Sequence, residues 1–380
     1  MSRRILMVAG EASGDALGAR LAAALLRADP SLRLYGVGGR EMRAAGVEIL
    51  LDSAELSVMG FAELGREIGR VLSALRMLRR ELRDGRPDLF VPIDFPDFNL
   101  PLCRSAHRVD VPVFYYVSPQ VWAWRRGRID TIARTVRRML VLFPFEAEIY
   151  RHHGIDAHFV GHPLAESVVA TRSREAVRAE LGVREGQSLV AVLPGSRRKE
   201  VEAMLAPMLA ATAALPTDAS TVVAEAPSLA PELVAGLIAQ SASTRPASRS
   251  VQSRRGDTYN LLAAADVAIV TSGTATLEAA LLGCPMVVAY RMSAFSYALA
   301  RRLVKVPFIA MPNLLLGRAV VPELVQDQAV APTIAREAAA LLGDSTRRAT
   351  MRDDFEEIRR LLVRPGAVDR AAALALELLP

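Results

Sequence analysis

Apolar positions along this chain fall in short continuous runs, separated by longer stretches in which they recur every three to four residues. The run Ile5, Leu6, Met7, Val8 passes through small residues into an Ala/Leu-rich segment, and this alternation repeats down the chain. Strands covered on both faces and joined by crossover helices leave such a pattern. In the first half it predicts strands near 4–9, 32–36, 88–93, 112–117, 139–143 and 157–160, with helices near 14–28, 39–45, 61–84, 99–107, 126–135 and 145–152. It pauses near residue 161 at "GHPLAESV" and restarts with the strand and loop "SLVAVLPGSR", a helix over 198–214, a strand over 220–225 and a helix near 231–240. A polar stretch, "QSASTRPASRSVQSRRGD", separates that helix from "TYNLLAAAD" and from "VAIVTSGTATLEAALLG", which reads as strand, turn and helix.

The fold class that follows is α/β, with two Rossmann-like doubly wound domains in tandem whose clefts lie at the C-terminal ends of parallel strands and face each other. The expected division is an N-terminal domain over 1–165, a second over 166–345, and C-terminal helices over 346–380. The last helix, 367–379, begins after Pro365 and Gly366, and its Ala/Leu content suits docking on the first domain or exchange between subunits of a homodimer.

Composition narrows this picture in a few places. At 380 residues, 51% hydrophobic and 23% charged, the chain is long enough for two cores. Only Lys199 and Lys305 are lysine among 47 basic residues, so arginine abundance reflects a compositional bias and not a nucleic-acid surface. The net charge of +6 is modest, but arginines concentrate over 66–83 and 125–138. Cys103 and Cys284 stand far apart without metal-ligand spacing, which argues against a disulfide framework or a zinc site and fits a reducing cytoplasm. The N-terminal apolar run is too short for a signal peptide, and no window reaches 18 uninterrupted apolar residues, so membrane contact would be peripheral.

The opening loop "MVAGEASGDALGARLAAAL" looks like a phosphate loop, yet Gly10, Gly14 and Gly18 are spaced four apart, and Glu11 and Asp15 between them would repel a pyrophosphate. The second domain suits anions better. In "VLPGSRRKEV", Gly195 and Ser196 follow a strand and Arg197 stands at the mouth of a helix, directing N–H groups and a guanidinium to one point. An ordinary strand-to-helix turn with a surface arginine is the plainer alternative. In "TSGTATLEA", Ser272, Gly273, Thr274 and Thr276 offer hydroxyls and N–H groups to a diphosphate, and Glu278 suits the two hydroxyls of a ribose. A capping box would explain Thr274 and Glu278 equally well.

The first domain offers acids instead. "PDLFVPIDFPDFNLPL" presents Asp88 before a strand, Asp94 at its end and Asp97 on the way into the next helix. A carboxylate at a strand C-terminus can act as a general base, although helix capping is the commoner use of Asp. Trp122 and Trp124 lie beside an arginine cluster, an arrangement for a sugar, an amphiphile or a packed lid. Among the histidines only His162, at the domain junction, is placed to enter a cleft. Phe61, Leu64, Ile68, Val71, Leu72, Leu75, Leu78 and Leu82 form an apolar stripe flanked by arginines; such a stripe is ordinarily core, and its fringe would also suit an anionic membrane.

The stretches "AGEASGD", "GVGGREM", "SVMGFAE", "PDFN", "YVSPQVWAW", "FPFE", "VGHPL", "LPGSR", "SGTATLE" and "MPNLL" occur in this order over nearly the whole chain. In this the sequence resembles the lipid-A-disaccharide synthase family, glycosyltransferases of the two-domain GT-B type. The resemblance implies an inverting, metal-independent reaction with no cofactor, in which UDP-2,3-diacylglucosamine donates its sugar to 2,3-diacylglucosamine 1-phosphate (lipid X), giving a β-1,6 disaccharide and UDP. It implies peripheral attachment to the inner face of the cytoplasmic membrane. Carried over by resemblance, Asp97 is the first choice for the base, with Asp88 and Asp94 in support. Asn313 is a further cleft residue, and Glu11, Ser13, Gly14 and Asp15 line the acceptor or sugar side. Gly195, Ser196, Arg197, Ser272, Gly273, Thr274, Thr276 and Glu278 hold UDP. A UDP-sugar 2-epimerase of the same architecture is the alternative enzyme, and a non-catalytic sugar-nucleotide or lipid-binding protein the alternative class.

Overall fold

In the computed structural model, residues 3–55, 64–119, 127–215, 218–241, 251–293, 297 and 307–380 are described. They contain two parallel sheets. The first is built from β1 (Arg4–Ala9), β2 (Arg33–Gly38), β3 (Glu48–Asp52), β4 (Leu89–Ile93), β5 (Phe114–Tyr116), β6 (Arg138–Val141) and β7 (Ala157–Phe159). Its order is β3-β2-β1-β4-β5-β6-β7. The second comprises β8 (Ser188–Leu193), β9 (Ala219–Glu225), β10 (Val251–Arg255), β11 (Val267–Thr271), β12 (Met286–Tyr290) and β13 (Glu323–Val325), in the order β10-β9-β8-β11-β12-β13.

The chain divides into a first unit, Met1–Pro163 with Arg364–Pro380, and a second unit, Leu164–Val363. The central strands β1, β4, β8 and β11 are buried along nearly their whole length, because helices cover both faces of each sheet. In the first unit the two faces carry separate cores. One gathers Leu6, Val8, Phe90 and Tyr115 beneath Leu78 and Leu82; the other gathers Ile5, Met7, Val91 and Phe114 beneath Leu21 and Leu25.

The C-terminal segment separates at Val363. Helix Ser345–Leu362 stays with the second unit, while helix Ala367–Leu376 packs on Ala12–Ala28 in the first. Ala367, Ala371, Ala372 and Ala375 bury one face of that last helix. Its rim is tied by Asp369 to Arg27 at 2.7 Å and by Glu377 to Arg138 at 2.6 Å.

Helix Leu64–Arg80 turns Ala74 and Leu78 into the core and leaves Leu72 and Met77 exposed, so the apolar stripe serves packing along only part of its width. Four strands go beyond the sequence expectation. β3 follows helix Arg40–Ala44 after a three-residue turn, β10 has the sequence VQSRR and β13 is the short segment ELV; all three are edge strands, where burial does not impose an apolar run, while β12, the apolar run MVVAY, lies inside the second sheet.

Candidate functional site

Strand order in each sheet reverses between its two central strands, β1 and β4 in the first unit and β8 and β11 in the second. The loops leaving the C-terminal ends of neighbouring strands diverge at that reversal and open a crevice, the usual ligand position in doubly wound sheets. The loops after β1, β4, β8 and β11 carry most of the residues singled out in the sequence.

In the first unit β4 ends at Ile93 and the backbone then passes through two consecutive left-handed residues, Asp94 (φ 47°) and Phe95 (φ 49°), before helix Pro96–His107. Val117, just beyond β5, is also left-handed at φ 69°. Such conformations are costly for non-glycine residues and persist only where surrounding contacts impose them. Here the anchor is Asn99, which is completely buried. Its Nδ2 donates to the Asp94 carbonyl at 2.8 Å and lies 3.4 Å from the carbonyls of Ile93 and Val8. The Tyr115 hydroxyl donates to the same Asp94 carbonyl at 2.9 Å. Phe95 lies against Gly10, where an added Cβ would stand 2.2 Å from its ring, and Gly18 makes similar room for Met42 and Ile93. Close packing, not phosphate binding, accounts for these two glycines of the opening loop.

The turn sets out carboxylates at one edge. Burial pushes the Asp94 carboxyl above its ordinary value, the Phe95 N–H works against this, and the negative charge of Glu11 adds to it. Asp97 stands in the first turn of the helix with its side chain 68% exposed, paired with the largely buried guanidinium of Arg128. Ser13 is exposed, whereas Gly14 is buried against Ala9.

Two acids assigned to this site are occupied elsewhere. Asp88 precedes β4, at the opposite end of the strand from Asp94, and its carboxylate accepts the Arg4 backbone N–H at 2.6 Å. It fastens the start of β1 and is withdrawn as a catalytic support. Asp15 is buried and accepts from the N–H groups of Gly39 (2.6 Å), Glu41 (3.0 Å) and Met42 (3.1 Å), so it caps helix Arg40–Ala44 rather than facing a ligand. Trp122, Trp124 and the stretch "SVMGFAE" lie outside the described residues.

In the second unit β8 runs into Gly195 (φ 118°), and helix Arg198–Ala213 follows Arg197. The donors converge as expected, but on an internal carboxylate. Glu200 Oε2 accepts from the N–H groups of Ser196 (3.2 Å) and Arg197 (3.3 Å), and its Oε1 lies 3.1 Å from Arg197 Nη1. Only glycine fits at 195, since a Cβ there would approach Glu200 to 2.7 Å.

The loop after β11 is more open. Gly273 and Thr274 are exposed at the start of helix Thr274–Leu281. Glu278, about one turn on, accepts the Tyr259 hydroxyl at 3.1 Å, and burial pushes its carboxyl upward. Two residues proposed to touch UDP instead brace the loop. The Ser272 hydroxyl donates to the Ile309 carbonyl at 2.8 Å. Thr276 is fully buried, donating to Gly273 O at 2.8 Å and accepting the Met311 N–H at 3.2 Å.

Asn313 requires a correction too. It is buried, accepts from the N–H groups of Val320 (2.7 Å) and Val321 (2.8 Å), and donates to Val321 O (2.9 Å) and Glu323 Oε1 (2.8 Å). Glu323 in turn receives the N–H groups of Ile309 and Ala310, each at 2.9 Å. With all four hydrogen-bonding positions of its amide used, Asn313 organises the loop that holds Ser272 and Thr276 and has nothing left for a ligand. Asn99, Tyr115, Glu200, Tyr259 and Glu323 were not singled out from the sequence; each lies far along the chain from its partner or within a helix turn where its role is invisible to pattern.

His162 is buried against Phe143, ring centroids 5.1 Å apart, and burial pushes its imidazole down to about 4. Both cysteines are free and buried. Among the described residues no group of three His, Cys, Asp or Glu side chains is arranged to hold a metal ion.

The chain matches the lipid-A-disaccharide synthetase family model over residues 5–378. It is 44% identical over 378 residues to a lipid-A-disaccharide synthase of Syntrophus aciditrophicus, covering 100% of this chain and 98% of the relative. A second relative, the lipid-A-disaccharide synthase of Geobacter sulfurreducens, is 42% identical over 381 residues, with 100% and 98% covered. The structure of CalG4, the calicheamicin glycosyltransferase, superposes with a TM-score of 0.61 at 18% identity over 99% of this chain and 98% of that one, a likeness of fold alone. Such agreement along the whole length does not favour the epimerase alternative, which shares only the architecture. The chain belongs to the lipid-A-disaccharide synthase family and is a UDP-sugar-dependent glycosyltransferase of the GT-B fold.

Proposed function

We propose that the first unit holds the acceptor, lipid X, and supplies the base, while the second unit holds the UDP of UDP-2,3-diacylglucosamine. The contrast between the two sheet edges carries this reading. Glu11, Asp94 and Asp97 gather at the first edge, where sugar hydroxyls are welcome and a pyrophosphate is not. The second edge has Arg197, the exposed helix start at Gly273 and Thr274, and Glu278 for a ribose.

In this mechanism the acceptor hydroxyl attacks the anomeric carbon as a carboxylate takes its proton, and the bond to UDP breaks with inversion. Asp97 is the proposed base because it is exposed, and its pairing with Arg128 fixes its direction. Arg197 and the N–H groups at Gly273 and Thr274 stabilise the charge gathering on departing UDP, so the step needs no metal. Glu11 and Ser13 contact the acceptor sugar.

The same reading has the protein sit peripherally on the inner face of the cytoplasmic membrane, where both acylated substrates reside. Exposed Leu72 and Met77, on a helix rich in arginine, support it, and no described helix is long and apolar enough to cross a membrane. Exchange of the last helix between two copies would make a homodimer, with the Arg27–Asp369 and Arg138–Glu377 contacts formed between chains.

The test is turnover of UDP-2,3-diacylglucosamine and lipid X in detergent micelles, with and without EDTA. Disaccharide formation should survive EDTA. It should fall by roughly 10²–10⁴ in Asp97→Asn, the usual worth of a general base, with UDP binding retained. Full activity in that variant would move the base to Asp94.

A further inference from the structure

Helices Pro96–His107 and Arg128–Thr135 lie side by side, and toward their C-terminal ends they leave a groove of about 280 Å³ lined by Arg104, His107, Arg108, Thr131, Arg134 and Thr135. No carboxylate lines it. Arg104 Nη2 donates to Thr131 Oγ1 at 3.0 Å, and Arg134 Nε donates to the Asp130 carbonyl at 3.0 Å. Among the described residues none of the three arginines is in an ion pair. Some other arginines of this unit are paired, Arg3 with Asp29, Arg33 with Glu48 and Arg138 with Asp156 and Glu377, while others such as Arg20 and Arg151 bond backbone carbonyls; what distinguishes these three is that they line one groove. The three guanidinium groups are exposed around one groove, where water screens their mutual repulsion and their summed positive potential favours an incoming anion. The Thr131 hydroxyl, accepting from Arg104, keeps its own proton to donate.

We propose that this groove is a binding site for the phosphate group of a phosphate-bearing anion. Guanidinium forks match phosphate oxygens in pairs, which a cluster of arginine with threonine hydroxyls serves better than it would serve chloride or a lone carboxylate. The groove is separate from the reaction site. Arg104 and Arg108 follow Asp97 by seven and eleven positions on and just beyond one helix, roughly 10 to 16 Å along the axis. That exceeds the span of one sugar ring, so the phosphate of an acceptor reacting at Asp97 does not reach it.

The adjoining helix Leu64–Arg80 packs on Pro96–His107 and exposes Leu72 and Met77. Exposed apolar side chains on a helix neighbouring one that lines the groove suit a phospholipid, whose headgroup enters the groove while its chains meet apolar surface. The lipid source rests on the membrane part of the function proposed above; the phosphate chemistry does not.

The test uses the full chain and a triple variant, Arg104→Gln/Arg108→Gln/Arg134→Gln, with circular dichroism and urea melts as the check on folding. Inorganic phosphate is followed by ³¹P line broadening in chloride of matched ionic strength. Co-sedimentation is measured with phosphatidylglycerol/phosphatidylcholine vesicles against phosphatidylcholine alone. Wild type should broaden the phosphate line and prefer anionic vesicles, and the variant should lose the broadening. Its vesicle partitioning should drop roughly a hundredfold, each basic residue near an anionic surface contributing roughly fivefold. Lost broadening with unchanged vesicle binding would overturn the lipid source and leave a site for soluble phosphate. Unchanged broadening in the variant, or none in wild type, would overturn the site. Failure of disaccharide formation in the separate turnover assay would count against the transfer mechanism and not against the groove.

Discussion

Glu200 Oε1 lies 3.1 Å from Arg197 Nη1, and the same carboxylate gathers the N–H groups of Ser196 and Arg197, so the anion cradle of the second unit already holds an anion of its own. A phosphate arriving there must compete with Glu200 or displace it. Glu200→Gln keeps an oxygen for the N–H groups and removes the charge, and it should tighten UDP binding about fivefold, near 1 kcal/mol for a partly buried charge at a helix start. Arg197→Ala should weaken binding by roughly tenfold or more, as expected for a charged hydrogen bond to phosphate. Calorimetric titration with UDP checks both. Weaker binding in Glu200→Gln would mean that Glu200 supports the nucleotide.

The raised carboxyl of Asp94 gives a prediction about pH. Well below the ordinary value of 3.8 the group is neutral in folded and unfolded chains alike. As pH rises past that value the unfolded chain ionises first, so stability is lost until the pH passes the raised folded value and then stays lost. Asp94→Asn removes this loss while keeping an acceptor for the Phe95 N–H. The variant should therefore resist urea better than wild type at pH 7, with the gain vanishing near pH 3. An equal gain at both pH values would show that ionisation is not the cause.

Tyr115 and Asn99 both hold the Asp94 carbonyl, and through it the left-handed turn that leads into Asp97. Tyr115→Phe removes one hydrogen bond at nearly constant volume and should cost about 1–2 kcal/mol. Asn99→Ala leaves the Asp94 carbonyl with Tyr115 alone and takes the amide donor away from the Val8 and Ile93 carbonyls, and it should cost about 2–3 kcal/mol. If the turn positions the base, kcat should fall in both variants while the KM for UDP-sugar stays put. A loss confined to stability, with kcat unchanged in the folded fraction, would make the turn purely structural.

The alternation of runs and helical stretches made the two-sheet architecture legible, because central strands buried on both faces leave little freedom to sequence. The four loops at the strand-order reversals were legible for the same reason: glycine, hydroxyl and acid residues stand at the ends of β1, β4, β8 and β11. What each side chain does there was not. Asp15 and Asp88 look like site acids by position, but partners 24 to 27 and 84 residues away claim them. Glu200 reads as an ordinary first-turn acid until its oxygens are seen on the Ser196 and Arg197 donors. Hydrogen-bond allegiance is a tertiary property, and periodicity carries no trace of it.

The second unit offers a pair of variants that separates bracing from contact. Asn313 uses both atoms of its amide on Val320, Val321 and Glu323, and Glu323 holds the Ile309–Ala310 backbone against which Ser272 closes. Asn313→Ala strips four hydrogen bonds from a buried site and should lower stability by about 3 kcal/mol or more. Thr274 is exposed at a helix start, so Thr274→Val should change stability by about 0.5 kcal/mol or less. UDP affinity should respond the other way at a temperature where both variants are folded. Thr274→Val should lose a hydroxyl contact worth about 1 kcal/mol, and Asn313→Ala should bind within about twofold of wild type if the loop keeps its shape. Denaturant melts paired with UDP titrations read both quantities. If Thr274→Val bound UDP as wild type does while Asn313→Ala lost it in the folded state, the nucleotide would lie nearer β13 than the start of Thr274–Leu281, and the division between brace and contact would be reversed.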